Sequence, residues 1–213
     1  MTTTTTTNPG WRIQLAIHRA VRRDETRLER SLAAGGDAPA QAVREYWALA
    51  AAQLHHHHEF EDTVIWPLMA ERLGERVGAL LARNAHEHQT MSAAMDAFGT
   101  ALDGTDAVSA LAALARMSEA VDTHLTHEEA DVLPLIAEAF TLDDIRFFQA
   151  EDAKTNPPSA FLPWMLDEAP DEDLSFFTGH MPSQVREQLD SAWTPLWRRS
   201  VDALGLSVEA AAR

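Results

Sequence analysis

The 213-residue chain contains no cysteine. That removes disulfides, thiolate nucleophiles and cysteine-ligated zinc or iron–sulfur sites together, so any metal would be held by nitrogen and oxygen. Basic residues are few: 17 Lys and Arg face 33 Asp and Glu, a formal net charge of −16. A phosphate backbone or an anionic membrane surface would be repelled, and neither nucleic acid nor a membrane is an expected partner. No apolar run approaches the roughly 18 residues that a membrane span needs, and the N-terminal MTTTTTTNPG lacks the basic and apolar regions of a signal peptide. A cytoplasmic protein with a disordered segment over residues 1–10 is expected. Glycine is scarce and β-branched runs are few, while hydrophobic residues, mainly Ala and Leu, reach 46%. That balance favours an all-α fold.

Trp11, Leu15, His18, Val21, Glu25 and Leu28 recur at spacings of three and four, one face of a helix from Trp11 to about Leu32. A second helix from about Ala40 carries Trp47, Leu54, Ile65 and Leu68 up to a break at Gly74. A third runs from about Glu75 to Phe98, and a fourth from about Asp106 to Phe140. Four helices on short connections most simply form an antiparallel up-down-up-down four-helix bundle over residues 11–140. Residues 141–213 read as a helical extension packed on it. Thr141 caps a short helix, Asn156-Pro157-Pro158 breaks it, and acidic loops carry Trp164 and Phe176. A last helix from Met181 to about Leu204 is interrupted by Pro195, with Trp193 and Trp197 facing the bundle.

The run Leu54-His55-His56-His57-His58-Glu59-Phe60-Glu61-Asp62 becomes informative through a repeat. HHEFEDTVIWPLMAE, from His57, aligns with HLTHEEADVLPLIAE, from His124, matching His57 to His124, Glu61 to Glu128 and Pro67 to Pro134. In His-x-x-x-Glu the two side chains share one helix face, so both can point at one object inside a bundle. Each hairpin adds a histidine on its first helix, His18 and His88. Pairing the hairpins would bring His18, His57, His88 and His124 with Glu61 and Glu128 to the bundle centre. Six unrelated polar residues would leave the duplication unexplained, and two carboxylates buried without a cation would be costly.

Spacing alone also permits His55 with Glu59 and His58 with Asp62. Helix phase favours His57, which shares a face with Leu54, Val64, Ile65 and Leu68. His55, His56 and His58 are accordingly expected to be supporting or solvated residues, with His58 the nearest competitor. By the same test His88, in phase with Leu81, Met91 and Met95, faces inward and His86 does not. His127 and His180 read as peripheral. Imidazole and carboxylate together suit iron, manganese or zinc, and six donors exceed the four of a closed structural zinc site, which argues for two ions.

A His on helix one, His-x-x-x-Glu-[Glu/Asp] ending in Pro on helix two, a His on helix three and His-x-x-x-Glu-Glu on helix four resemble the hemerythrin HHE cation-binding family over about residues 11–140. The C-terminal segment is similar to extensions on its actinobacterial members. The resemblance implies a non-haem di-iron centre in a four-helix bundle. His18, His57, His88 and His124 would be terminal ligands and Glu61 and Glu128 bridges, completed by an oxo or hydroxo group from solvent. Oxygen-carrying hemerythrins have His-x-x-x-His on helix three, but Ser92 stands four residues after His88. Their helix-four carboxylate is an Asp at the place of Glu129, beside Glu128. The resemblance therefore implies that one iron lacks its full histidine set and has an open position beside Ser92. Binding or sensing of O2, NO or peroxide is the first functional expectation. A di-iron oxidoreductase consuming peroxide or nitric oxide is the second, and an iron store or helical interaction module the third.

Overall fold

The structure, a computed structural model, describes residues 9–35 and 40–206. Pro9 opens helix α1 (Pro9–Ala34) in the first turn, where its missing N–H breaks no helical hydrogen bond. Residues 9 and 10, read with the N-terminal segment, thus belong to the helix; residues 1–8 lie outside the described residues. Helix α2 (Gln41–Phe60) continues through a π turn (Glu61–Ile65) into α3 (Trp66–Leu73), which ends at Gly74 with φ +60°. Helix α4 (Glu75–Leu102) returns. Asp106 accepts from the N–H groups of Val108 and Ser109 to cap α5 (Ala107–His127), which passes through a second π turn (Glu128–Val132) into α6 (Leu133–Ala139). Helix α1 packs on α2 and α5, and α4 packs on the same two, which closes the up-down-up-down ring. The fold is all-α, with no strand among the described residues. No helix among them is long and apolar enough to cross a membrane.

Both π turns end just ahead of a proline, Pro67 and Pro134, and a third (Leu189–Trp193) ends just ahead of Pro195. A proline inside a helix lacks the N–H for the usual bond, and its ring clashes with the carbonyl four residues back. Widening the preceding turn moves that carbonyl aside without ending the helix. The repeated Pro at plus ten from each motif histidine is thereby the cause of a π turn that begins at Glu61 and at Glu128.

The extension is more helical than expected. A capping box between Thr141 and Asp144 starts α7 (Leu142–Asp152). The segments carrying Trp164 and Phe176, expected to be acidic loops, are helices α8 (Pro158–Leu166) and α9 (Asp171–Gly179). Pro158 sits in the first turn of α8, where proline is tolerated, and packing on α1 stabilises a helix too short to stand alone. Helices α10 (Ser183–Gln188) and α11 (Thr194–Asp202) are joined by the third π turn, so Pro195 widens the last helix instead of breaking it. Trp197 is buried in the same core as α1 and α2 residues, and Trp193 packs partly buried against it.

Two apolar clusters fill the bundle. One runs from Ala16 and Leu54 through Met91 and Met117 to Trp164 and Trp197. The other, around Trp66, Met69, Val77, Leu133, Ile136, Phe140 and Phe148, lies at the opposite end. The polar layer of His18, His57, His88 and His124 lies between them on the four long helices.

One partly buried acid bordering the first cluster yields a pH prediction. Burial lifts the Glu25 carboxyl to about 7 from 4.5, against opposing contributions from Ser118 and Arg22. A raised carboxyl stabilises the fold fully below the unfolded value and loses that contribution as pH rises through the folded one. Glu25→Gln should therefore match the parent in urea unfolding below pH 4.5. At pH 8 it should exceed the parent by on the order of 3 kcal/mol. Equal stability at both pH values would show that Glu25 is not held neutral.

Candidate metal centre

Helix pairing sets the register of the site. In the first hairpin α1 brings His18 level with His57 on α2, with ring centroids 5.6 Å apart. In the second, α4 brings His88 level with His124 on α5, at 4.6 Å. The carboxylates one turn farther on then reach across the bundle. Glu61 lies 3.4 Å from Nε2 of His57 and 3.6 Å from Nε2 of His88. Glu128 lies 3.4 Å from Nε2 of His124 and 3.4 Å from Nε2 of His18. Each glutamate thus contacts one histidine from each hairpin.

The donors sort into two groups with atoms close enough to hold an ion each. His18, His57 and Glu128 make one; His58, Glu61, His88 and His124 make the other. All six residues expected from the sequence are brought together, and all are buried. His58, expected to be supporting or solvated, is also brought in. Its ring stacks on His88 at 4.4 Å between centroids and meets His124 edge-on at 5.2 Å. Adjacent residues on a helix point about 100° apart, so His57 and His58 can face two neighbouring positions in a wide site, where a single-stripe argument admits one. His58 bears on the open position expected beside Ser92: it brings to the second group an additional imidazole, from α2, that could take the place of the one α4 lacks. The other histidines stand outside. His55 and His86 are exposed, His56 bonds Asp152 on α7 at 2.7 Å, and His180 bonds the Phe176 carbonyl.

A ring of carboxylates holds the imidazoles from behind. His88 Nδ1–H donates to Asp62 at 3.0 Å, His18 Nδ1–H to Glu129 at 2.9 Å and His124 Nδ1–H to Glu87 at 3.3 Å. Arg22 secures Glu129 at 2.7 Å, while Arg83 and His127 secure Glu87 at 2.9 and 2.7 Å. The acidic pair in each motif is therefore divided. Glu61 and Glu128 face inward, and the residues after them, Asp62 and Glu129, orient the first-helix histidine of the other hairpin. This exchange was not read from the sequence, although the repeated acid at plus five was its signal.

The electrostatics of the site call for a cation. Burial and then the neighbouring imidazoles hold His57 and His58 well below the usual imidazole pKa, and burial and His124 lower His88. Burial opposes charge on His18 too, but Glu128 and Glu129 outweigh it and raise its pKa. Burial and Glu128 push Glu61 well above the carboxylate range; Glu128, also buried, is drawn well below it by His18 and His124. With Nδ1–H committed to carboxylates, His88 and His124 turn bare Nε2 lone pairs toward each other at 3.3 Å. Nε2 of His18, His57 and His58 and three oxygens of Glu61 and Glu128 are buried without a hydrogen-bond partner. Such orphaned donors are costly unless an ion joins them, and the nitrogen and oxygen set fits first-row divalent metals.

No curated protein and no solved structure was found to match the chain. A family model does match, that of the hemerythrin HHE cation binding domain, over residues 10–136. These residues span all four bundle helices and every donor of both groups, and the chain belongs to the hemerythrin HHE cation-binding family.

Proposed function

We propose that this chain holds a carboxylate-bridged pair of non-haem iron ions and uses it to bind or sense O2, NO or peroxide. The observation that carries the dinuclear reading is the placement of Glu61 and Glu128, each within 3.6 Å of an imidazole from both donor groups. His18, His57 and Glu128 would serve one ion, and His58, His88, His124 and Glu61 the other, with a solvent-derived oxo or hydroxo bridge. Bound there, the metals supply adjacent redox-active Lewis acids. The protein's own part is to disfavour charge on His57, His58 and His88 by burial, to fix the tautomers of His18, His88 and His124 through Glu129, Asp62 and Glu87, and to exclude water. The reading takes the chain as a cytoplasmic protein whose partner is a small ligand; its charge of −16 disfavours nucleic acid.

The purified protein is expected to hold about two iron ions per chain and, oxidised, to show ultraviolet and near-visible charge-transfer absorption. A single zinc retained from iron-replete cells, with no iron, would end this reading. Steady-state peroxide consumption separates binding from catalysis: sustained turnover by the iron-loaded protein would replace the sensor with an oxidoreductase on the same site.

A further inference from the structure

The two halves of the site are related by the sequence repeat, and besides His58, which has no counterpart in the second copy, one further pair of equivalent residues breaks the relation. Gln14 stands one turn before His18 on α1, opposite Glu61, one turn after His57 on α2. Its Nε2 donates to Glu61 Oε1 at 2.7 Å. Asn84 occupies the equivalent place on α4, one turn before His88, with Glu128 one turn after His124 on α5. The ion pair from Arg83 to Asp131 and the bond from His127 to Glu87 hold the α4–α5 register on either side of it. Asn84 is only 1% exposed. Its side chain is one methylene shorter than glutamine, and its Nδ2 has no hydrogen-bond partner; neither oxygen of Glu128 has one either. Where the first hairpin closes an amide onto its carboxylate, the second leaves a buried donor and a buried acceptor apart.

We propose that Asn84 donates a hydrogen bond from Nδ2 to the small ligand that binds at the metal pair, on the Glu128 side. A buried amide without an acceptor is unfavourable, Asn84 makes no bond to Glu128, and a ligand bound at the metal pair would bring the missing acceptor. The class recognised is a small anion or diatomic that keeps a lone pair beyond its metal-bound atom, such as azide, nitrite or a reduced dioxygen species. The first-hairpin side, where Gln14 already fills the corresponding space, offers no free donor to a ligand. The two ends of the site are therefore unequal in their amides as well as in His58, which has no counterpart in the second copy. Asn84 acts as a positioning residue that selects ligands able to accept. This inference rests on the proposed iron pair.

The test titrates azide into the oxidised, iron-loaded parent and into Asn84→Leu and Asn84→Gln, with iron content and the ligand-free spectrum measured on each. Leucine keeps the branched shape, with somewhat larger volume, and removes the donor; glutamine reaches Glu128 as Gln14 reaches Glu61 and fills the gap. Both variants are expected to retain about two irons and the parent's ligand-free spectrum. Both should bind azide roughly ten- to a hundredfold more weakly, the range for a lost hydrogen bond to a charged acceptor. The antisymmetric stretch of bound azide should shift in Asn84→Leu, and its sensitivity to D2O should be lost, which a purely structural role for Asn84 would not produce. Should Asn84→Leu fail to fold, Asn84→Gln decides the matter, because it keeps the amide and mirrors a side chain already accommodated at Gln14. Unchanged affinity and an unchanged azide stretch in variants holding the parent's iron would overturn the role of Asn84 and leave the iron pair standing. A parent without iron would overturn both.

Discussion

His58→Ala is expected to leave a folded protein with about one tightly held metal ion per chain in place of about two. His58 belongs to the donor group with Glu61, His88 and His124, and its Nε2 has no other partner. Its removal leaves that group two imidazoles and a carboxylate, and opens space beside His88. Loss of a residue that merely supports a ligand costs about ten- to a hundredfold in metal affinity. Loss of a donor should exceed that, and the cavity left beside His88 further weakens the site, while the other group keeps every donor it is built with. His57→Ala should remove the ion on the other side, and Glu128→Ala, which touches both groups, should remove both. His56→Ala and His86→Ala should leave the metal content unchanged, since His56 is committed to Asp152 and His86 is exposed. Metal analysis of the five variants after desalting decides the point. Two ions in His58→Ala, with one lost in His56→Ala, would mean that α2 is rotated relative to the register described here.

The sequence carries a signal for His58. In the alignment of the two motifs His58 stands opposite Leu125, and Leu125 is a fully buried core residue. An apolar residue at that place in one copy marks the place as inward-facing in both. A single apolar stripe through His57 does not carry this information, since a site for two metals side by side presents a face wider than one residue. The ligand-bearing helices, their order and the six paired donors were legible because burial of charge leaves few alternatives and the motif occurs twice. The π turns at Glu61 and Glu128 were not legible, although the repeated prolines cause them: periodicity reports which residues face inward, not how many residues a turn contains. Helices α8 and α9 were missed for a different reason. Each has 9 residues, and Pro158, Pro163 and Pro170 with the acids of 167–173 imitate a loop, while the packing that holds them is supplied by α1, far away in sequence.

The largest stability effect is expected at Asp24, where that distant packing is anchored. Asp24 is buried on α1, and Arg23 donates to its Oδ1 at 2.7 Å. The Tyr46 hydroxyl of α2 donates to the same oxygen at 2.6 Å, and the Trp164 indole of α8 donates to Oδ2 at 2.7 Å. A second carboxylate extends the network: Asp167 Oδ2 accepts from Arg27 at 2.7 Å and from the Trp197 indole of α11 at 2.9 Å, while Arg27 also donates to Tyr46 at 3.1 Å. Buried Asp24 and partly buried Asp167, with buried Arg27 and partly buried Arg23, thus tie α1 and α2 to α8 and α11, and both tryptophans reach the core with their N–H groups satisfied. Asp24→Ala would leave the Tyr46 hydroxyl and the Trp164 indole without their acceptor, and would remove the carboxylate that pairs with Arg23, whose remaining bonds go to the Trp164 and Asp167 carbonyls. Breaking a buried ion pair from one side costs about 3–5 kcal/mol, because the uncompensated partner remains. Tyr46→Phe removes one donor and leaves Asp24 bound to Arg23 and Trp164, so it should cost only about 1 kcal/mol. Urea unfolding of the two variants, with metal content held equal, measures the difference. A cost for Asp24→Ala no greater than that of Tyr46→Phe would show that the network fills space without fastening the extension, since the arginine and the indole would then have found water at no penalty. The expected result is the reverse, with α8 and α11 becoming sensitive to proteolysis in Asp24→Ala while the metal-bearing half of the bundle, separated from Asp24 by the apolar side chains of Val21 and Leu54, keeps its ions.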